Sequence, residues 1–172
     1  MRYPALTGAR TADVVVVGVG FTGLSAAWRL LQLDPELKVT LLDAWDIVEG
    51  LAGRKSGFVI DLPHDLASQD YAGRGDETSL IALNRTAIAF AQAVKAEYEI
   101  DPAYVDPVGK INGAASETAD AQNRNYATHL AALGKTCEHI DGQSVTELTG
   151  SRHNVSGLYT PGTLMLQSAG YI

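Results

Sequence analysis

Three glycines and one aspartate carry the clearest chemistry in this sequence. Gly18, Gly20 and Gly23 stand in Gly-x-Gly-x-x-Gly spacing directly after the apolar run at 14–17, and Asp43 follows twenty residues beyond the third glycine. Glycine at the first position permits a tight turn out of a strand. At the second it lets the backbone approach a pyrophosphate with no Cβ in the way, and at the third it permits close packing of helix on strand. Phe21 and Thr22 open the helix that follows, whose N-terminal N–H groups and positive dipole end suit phosphate. Asp43, with Ala44 after it, is spaced to accept hydrogen bonds from a ribose diol, and its charge disfavours a 2′-phosphate. A lone glycine motif is weak, because glycine pairs are common in turns. Here the strand, the helix and the acid accompany it, and the pattern is that of a dinucleotide site.

The elements that must position these residues can be read from hydrophobic periodicity. Val14 to Val17 is a continuous β-branched run, as expected for a parallel strand covered on both faces. Leu24, Ala27, Trp28 and Leu31 recur at helical spacing over 22–33, Asp34-Pro35 ends that helix, and 38–42 is the next strand. Strand, helix and strand fit in about thirty residues, the size of a βαβ unit. Residues 46–78 are irregular and glycine-rich, a length that suits a segment wrapping a ligand. An amphipathic helix follows over 79–99, with Leu80, Leu83, Ala87, Ala91, Val94 and Tyr98 in one stripe, widened by Ile81, Ile88 and Phe90. A strand interrupted by Pro107 is expected over 103–112, a helix over 117–133 stopped by Gly134, a short helix over 143–148 and a short strand over 155–159.

Composition narrows the function classes. Hydrophobic content of 46% and charged content of 19% describe an ordinary globular chain, and a formal charge of -7 without a Lys/Arg cluster argues against nucleic acid. The apolar stretch 14–33 holds three glycines, Arg29 and Gln32, which argues against a membrane span. Cys137 is the single cysteine, so no disulfide framework exists, a reducing, cytoplasmic setting fits, and the thiol reads as a small buried apolar group.

Other candidates are weaker. Asp61, His64 and Asp65 invite a metal or acid–base reading, but they lie in a loop without ligand spacing, and a structural hydrogen-bonding role is preferred. No metal site is expected. His129 and His139 read as surface residues, and nothing selects one of Tyr71, Tyr104, Tyr126 and Tyr159 as a pocket residue. No catalytic acid or base can be assigned.

The stretch Gly50-Leu-Ala-Gly53-Arg54-Lys-Ser56-Gly57-Phe58 resembles the glycine-rich segment after the second strand in D-amino acid oxidase-like FAD-dependent oxidoreductases, the family of glycine oxidase, sarcosine oxidase and γ-glutamylputrescine oxidoreductase-like enzymes. The Leu24-x-x-Ala27 continuation of the glycine motif is likewise more similar to flavoproteins than to nicotinamide dehydrogenases. Val108-Gly109-Lys-Ile-Asn-Gly-Ala-Ala resembles the family's entry into its substrate domain, and Gln167-Ser-Ala-Gly-Tyr171 resembles the return toward the flavin domain, where the family often has Gln-Pro-Ala-x-Tyr. Departures are Asp43 for a common Glu, Lys55 for a frequent Asn and Ser168 for a frequent Pro.

The resemblance implies FAD as cofactor. Gly53, Arg54 and Ser56 would lie along its flavin side, with Arg54 offering charge-assisted hydrogen bonds. It implies an α/β fold in which a Rossmann-type FAD-binding βαβ half-domain leads into the start of an α+β substrate domain: 1–12 an N-terminal arm, 13–100 the FAD-binding part and 101–172 an incomplete substrate domain. Members of the family are longer, so the expectation is a truncated, N-terminal portion. The implied reaction is oxidation of a C–N bond in a small-molecule amine or amino acid, by hydride transfer to flavin N5. The alternatives are a non-catalytic nucleotide-holding subunit that needs a complementing C-terminal polypeptide or self-association, and a NAD-dependent dehydrogenase.

Overall fold

The computed structural model of the chain describes residues 3–63 and 76–172. In chain order the elements are strand β1 (Val14–Val17), helix α1 (Phe21–Leu33), β2 (Val39–Leu42), a 3-10 turn (Ala52–Arg54), β3 (Phe58–Val59), α2 (Glu77–Glu97), a second 3-10 turn (Pro102–Tyr104), β4 (Val105–Asp106), β5 (Lys110–Ala114), α3 (Glu117–Ala132), β6 (Glu138–Asp141), α4 (Gly142–Thr149), β7 (Ser156–Thr160), β8 (Leu164–Leu166) and the short helix α5 (Ser168–Tyr171). His64, Asp65 and Tyr71, singled out above, and most of the glycine-rich stretch after Pro63 lie outside the described residues.

One compact unit comprises Met1–Gly57 and Leu166–Ile172. Its sheet pairs β1 with β2 in parallel, from Val14↔Val39 to Val17↔Leu42. The Asp13 carboxylate accepts the Lys38 N–H at 2.8 Å and fixes where the pairing begins. Helix α1 crosses over between the two strands and buries Ala27. Coverage of β1 differs from the expectation of a strand buried on both faces. Val16 packs against Gly23 of α1, whereas Val15 is 52% and Val17 82% exposed, because among the described residues no element lies over their face.

The other unit is Phe58–Met165. Its main sheet has the order β5-β7-β6, antiparallel throughout. Leu158 of β7 faces α3 and joins Tyr126 and Leu130 in a buried cluster with Leu62 and Ile81, while the adjacent Gly157 lies against Val145 of α4 on the opposite face. Cys137 packs at the margin of that cluster, and burial pushes its thiol pKa up. Helix α2 contributes Ile81 to the same core, which places it with this unit; the sequence reading carries the first part on to residue 100. The helices begin at side-chain caps: Asp76 accepts the Ser79 N–H at 2.9 Å, Ser116 that of Ala119 at 3.2 Å and Asp141 that of Ser144 at 2.8 Å.

Several expectations need correction here. The buried face of α2 runs through Ile81, Ile88 and Ala91, whereas Leu80, Leu83, Ala87 and Tyr98 are exposed. The helix is apolar over a wide arc, and packing selected one edge of it. The expected strand over 103–112 is divided, because Pro107 offers no N–H and Gly109 turns the chain at φ +76°. His129 is not a free surface group: its Nε2 lies 2.6 Å from Glu77 Oε2, both side chains being largely buried, and ties α3 to the first turn of α2. His139 pairs with Asp120 at 2.7 Å. Tyr126 lies wholly in the core, where its hydroxyl donates to the Pro63 carbonyl.

Candidate dinucleotide site

The site is assembled within the first unit, at the end of β1. There the three glycines have three different physical grounds. Gly18 sits at φ +101°, a conformation that side chains rarely adopt, and its N–H donates to the Leu42 carbonyl at 2.7 Å as the chain leaves the strand. A Cβ on Gly23 would overlap the Gly18 carbonyl oxygen, with Val16 Cγ1 3.3 Å away, so α1 can lie this close to β1 only with glycine there. Gly20 shows neither ground. Its φ is -103°, and a Cβ would meet only Ala52 Cβ, at 3.2 Å. Backbone conformation does not demand glycine at Gly20, and packing barely does. A Cβ-free surface beside a helix start is a cradle of a shape that suits a phosphate group.

Helix α1 begins at Gly20 with no side-chain cap and no acid in its first turn, so the N–H groups of Phe21, Thr22 and Gly23 keep their positive end unneutralised. Thr22 is exposed, and Phe21 is half-buried. Asp43, at the end of β2, closes the turn from the other side. One of its carboxylate oxygens accepts the Val19 N–H at 2.7 Å and the other the Trp45 N–H at 3.0 Å. These bonds, with a lesser one from the Ala44 N–H, hold the carboxyl below the usual carboxylate range, so Asp43 stays an anion. Sequence spacing assigns Asp43 to a ribose; the structure adds that it clasps the glycine turn. Each oxygen of an ionised carboxylate can accept more than one hydrogen bond, so capacity for a diol remains.

The Gly50–Ser56 stretch lies beside this turn through the Gly20–Ala52 approach. Gly53 is closely packed, since a Cβ there would overlap the Val48 carbonyl oxygen, and Val48 itself holds a left-handed φ of 72°. For a β-branched residue this is a strained conformation, of the kind that persists where surrounding structure fixes it. Ala44, Arg54 and Ser56 are exposed, and the Arg54 guanidinium has no partner among the described residues. A further wall went unassigned from sequence. Helix α5 packs against the Ala52–Arg54 turn, and the Tyr171 ring stacks on Phe21 with centroids 5.9 Å apart and planes at 29°. Burial pushes the Tyr171 phenol pKa up. The signal for this wall was the aromatic of Gln167-Ser-Ala-Gly-Tyr171, whose partner only the fold reveals.

The family model described as DAO, FAD dependent oxidoreductase, matches residues 13–172. The chain belongs to the DAO family. FAD is the cofactor of that family, and the cradle at Gly20, the uncapped start of α1 and the fixed Asp43 carboxylate suit it. Across its matched length the DAO-family chain is 27% identical to a probable oxidoreductase, OrdL, of Rhizobium meliloti (strain 1021), over 94% of this chain and 38% of that protein. Its fold is that of glycine oxidase from Bacillus cereus ATCC 14579, with TM-score 0.71 and 17% identity over 94% of this chain and 41% of that one. It is also that of L-amino acid deaminase from Proteus myxofaciens, with TM-score 0.69 and 14% identity over 99% of this chain and 37% of that one. The chain thus spans about two fifths of the length of these three relatives. Among the described residues no helix is long and apolar enough to cross a membrane.

Proposed function

We propose that this chain holds the FAD of an oxidoreductase acting on the C–N bond of a small amine or amino acid. The observation that carries the cofactor assignment is Gly20: ordinary backbone, nearly open space, and an uncapped helix start next to it. In this reading the N–H groups of Phe21, Thr22 and Gly23 hold the pyrophosphate, and Asp43 takes the ribose hydroxyls while keeping the turn shut. Gly53, Arg54 and Ser56 serve the flavin side, where the exposed guanidinium of Arg54 offers charge-assisted hydrogen bonds. Bound FAD supplies the two-electron acceptor for the oxidation; the protein binds, orients and excludes water. The substrate class is supported by the glycine oxidase and L-amino acid deaminase named among the similar folds. A solvent-exposed Val15 and Val17 support a further reading, that a second polypeptide or a second copy covers this face of β1.

The test is retention of visible flavin absorbance after incubation with FAD and removal of free cofactor. The unaltered chain is expected to retain flavin, Asp43→Ala to retain less and Gly20→Val none. Normal retention by both variants would sink the assignment.

A further inference from the structure

In the second unit, buried polar atoms without a protein partner among the described residues gather in one place. They are Asp61 Oδ1, Lys110 Nζ, Asn112 Nδ2, Thr160 Oγ1 and Thr163 Oγ1. Asp61, Thr160 and Thr163 are each 1% exposed, and Lys110 and Asn112 are each 9% exposed. The fold shows why they are neighbours. Lys110 and Thr160 stand directly opposite across β5 and β7, so their side chains share a face, and Asn112 follows on that face two residues along. The Gly109 N–H donates to the Thr163 carbonyl at 3.0 Å, which brings Thr163 alongside. Gly162 lies against the Asp61 carboxylate so closely that any Cβ would overlap it.

The charges in this cluster do not balance by direct contact. Arg85 Nε holds Asp61 Oδ2 at 3.0 Å, and the Asn84 amide donates to the Asp61 carbonyl at 3.3 Å, which leaves Oδ1 without a donor among the described residues. The Lys110 ammonium has three donors and no acceptor. Burial lowers the Lys110 pKa while the charge of Asp61 raises it, so the two groups sense each other, yet no ion pair joins them. An ammonium and a carboxylate oxygen left unpaired in a protein interior would each carry a large desolvation penalty. The occupant that resolves this must accept from Lys110 and donate to Asp61. An anion would meet the donors but face the Asp61 carboxylate. A cation would meet Asp61 but face Lys110 and Arg85. Water does both, and two threonine hydroxyls supply the further partners that a buried water requires.

We propose that Lys110 and Asp61 are joined by resident buried water, with the Thr160 and Thr163 hydroxyls completing its hydrogen bonds. A high-resolution crystal structure of the full chain, with a parallel bromide soak, tests this. The expected result is an ordered water within hydrogen-bond distance of both Lys110 Nζ and Asp61 Oδ1, unchanged by the soak. A direct Lys110–Asp61 contact without water overturns the proposal, as does a bromide peak at the position. In solution, magnetic relaxation dispersion of water is expected to show at least one long-lived water fewer in Lys110→Met than in the unaltered chain. An equal number overturns it. Should Lys110→Met not fold, the crystallographic result decides alone.

Discussion

Alanine at Gly23 and alanine at Gly20 should produce opposite failures, although the two positions lie three residues apart. At Gly23 the new Cβ falls on the Gly18 carbonyl oxygen, with that carbonyl carbon at 3.1 Å and Val16 Cγ1 at 3.3 Å. The first neighbour is backbone and cannot rotate aside. To restore the closest approach real Cβ atoms make, α1 and β1 must separate by about 1 Å, an overpacking strain in the upper part of the usual range, about 2–3 kcal/mol. At Gly20 the methyl meets only Ala52 Cβ at 3.2 Å, which a shift of a few tenths of an ångström relieves, so the stability change should stay within about 0.5–1 kcal/mol. The same methyl occupies the cradle, so FAD affinity should fall by at least about tenfold, or about 1.4 kcal/mol. Urea unfolding followed by circular dichroism should show a midpoint lower by about 1 M for Gly23→Ala and little change for Gly20→Ala. Flavin retention should be lost by Gly20→Ala despite its intact fold. Should Gly23→Ala unfold at the unaltered midpoint, or Gly20→Ala lose stability and keep FAD, the division of labour among the glycines is wrong.

Leu130 is fully buried in the cluster with Tyr126 and Leu158, so Leu130→Ala should cost about 2–5 kcal/mol in denaturant unfolding; a change under about 1 kcal/mol would contradict that packing. Asp120 accepts from the Ser156 hydroxyl, His139 and Arg124, in that order of effect, and these partners hold its carboxyl well below the usual range. Its folded pKa is therefore lower than its unfolded one, so its contribution is complete above about pH 4 and is lost as pH falls through the depressed folded value. Asp120→Asn should be less stable than the unaltered chain at neutral pH, with a gap that narrows in acid; a gap independent of pH would contradict the linkage. At Gly57, φ is +83° and a Cβ would overlap the Leu166 carbonyl oxygen. Gly57→Ala should loosen the Leu166–Ile172 return, read as faster cleavage there by limited proteolysis.

Short-range features were legible in the sequence because local chemistry determines them. The run of valines, the three glycines and Asp34-Pro35 define β1, the turn, and the limits of α1, all within about twenty residues. Helices α3 and α4 and strand β7 could likewise be read from periodicity and from Gly134. What escaped depended on distant partners. Strand β6, with Glu138, His139 and Asp141, is too polar to read as a strand and exists through its pairing with β7. Strand β8 is defined by Phe58↔Met165 and Val59↔Leu164. The face that α2 buries was ambiguous because apolar residues surround most of the helix, and only Leu62, Tyr126 and Leu158 select Ile81 over Leu80. In the site, spacing identified Asp43, but its bond to Val19 and the Phe21–Tyr171 stack follow from folding.

The unit that holds the glycine turn is discontinuous in sequence: it comprises Met1–Gly57 and Leu166–Ile172. During synthesis, then, the first βαβ segment leaves the ribosome well before the Leu166–Ile172 residues that pack against it. Waiting for them does not mean searching a long floppy loop. Once the intervening chain has paired Phe58 with Met165, Gly57 and Leu166 are neighbours, and the 2.8 Å bond between the Leu166 N–H and the Gly57 carbonyl closes a gap that has already shrunk. The connectivity thus links the two segments: pairing of Phe58 with Met165 sets Leu166 beside Gly57, and from there the short helix α5 carries Tyr171 onto Phe21.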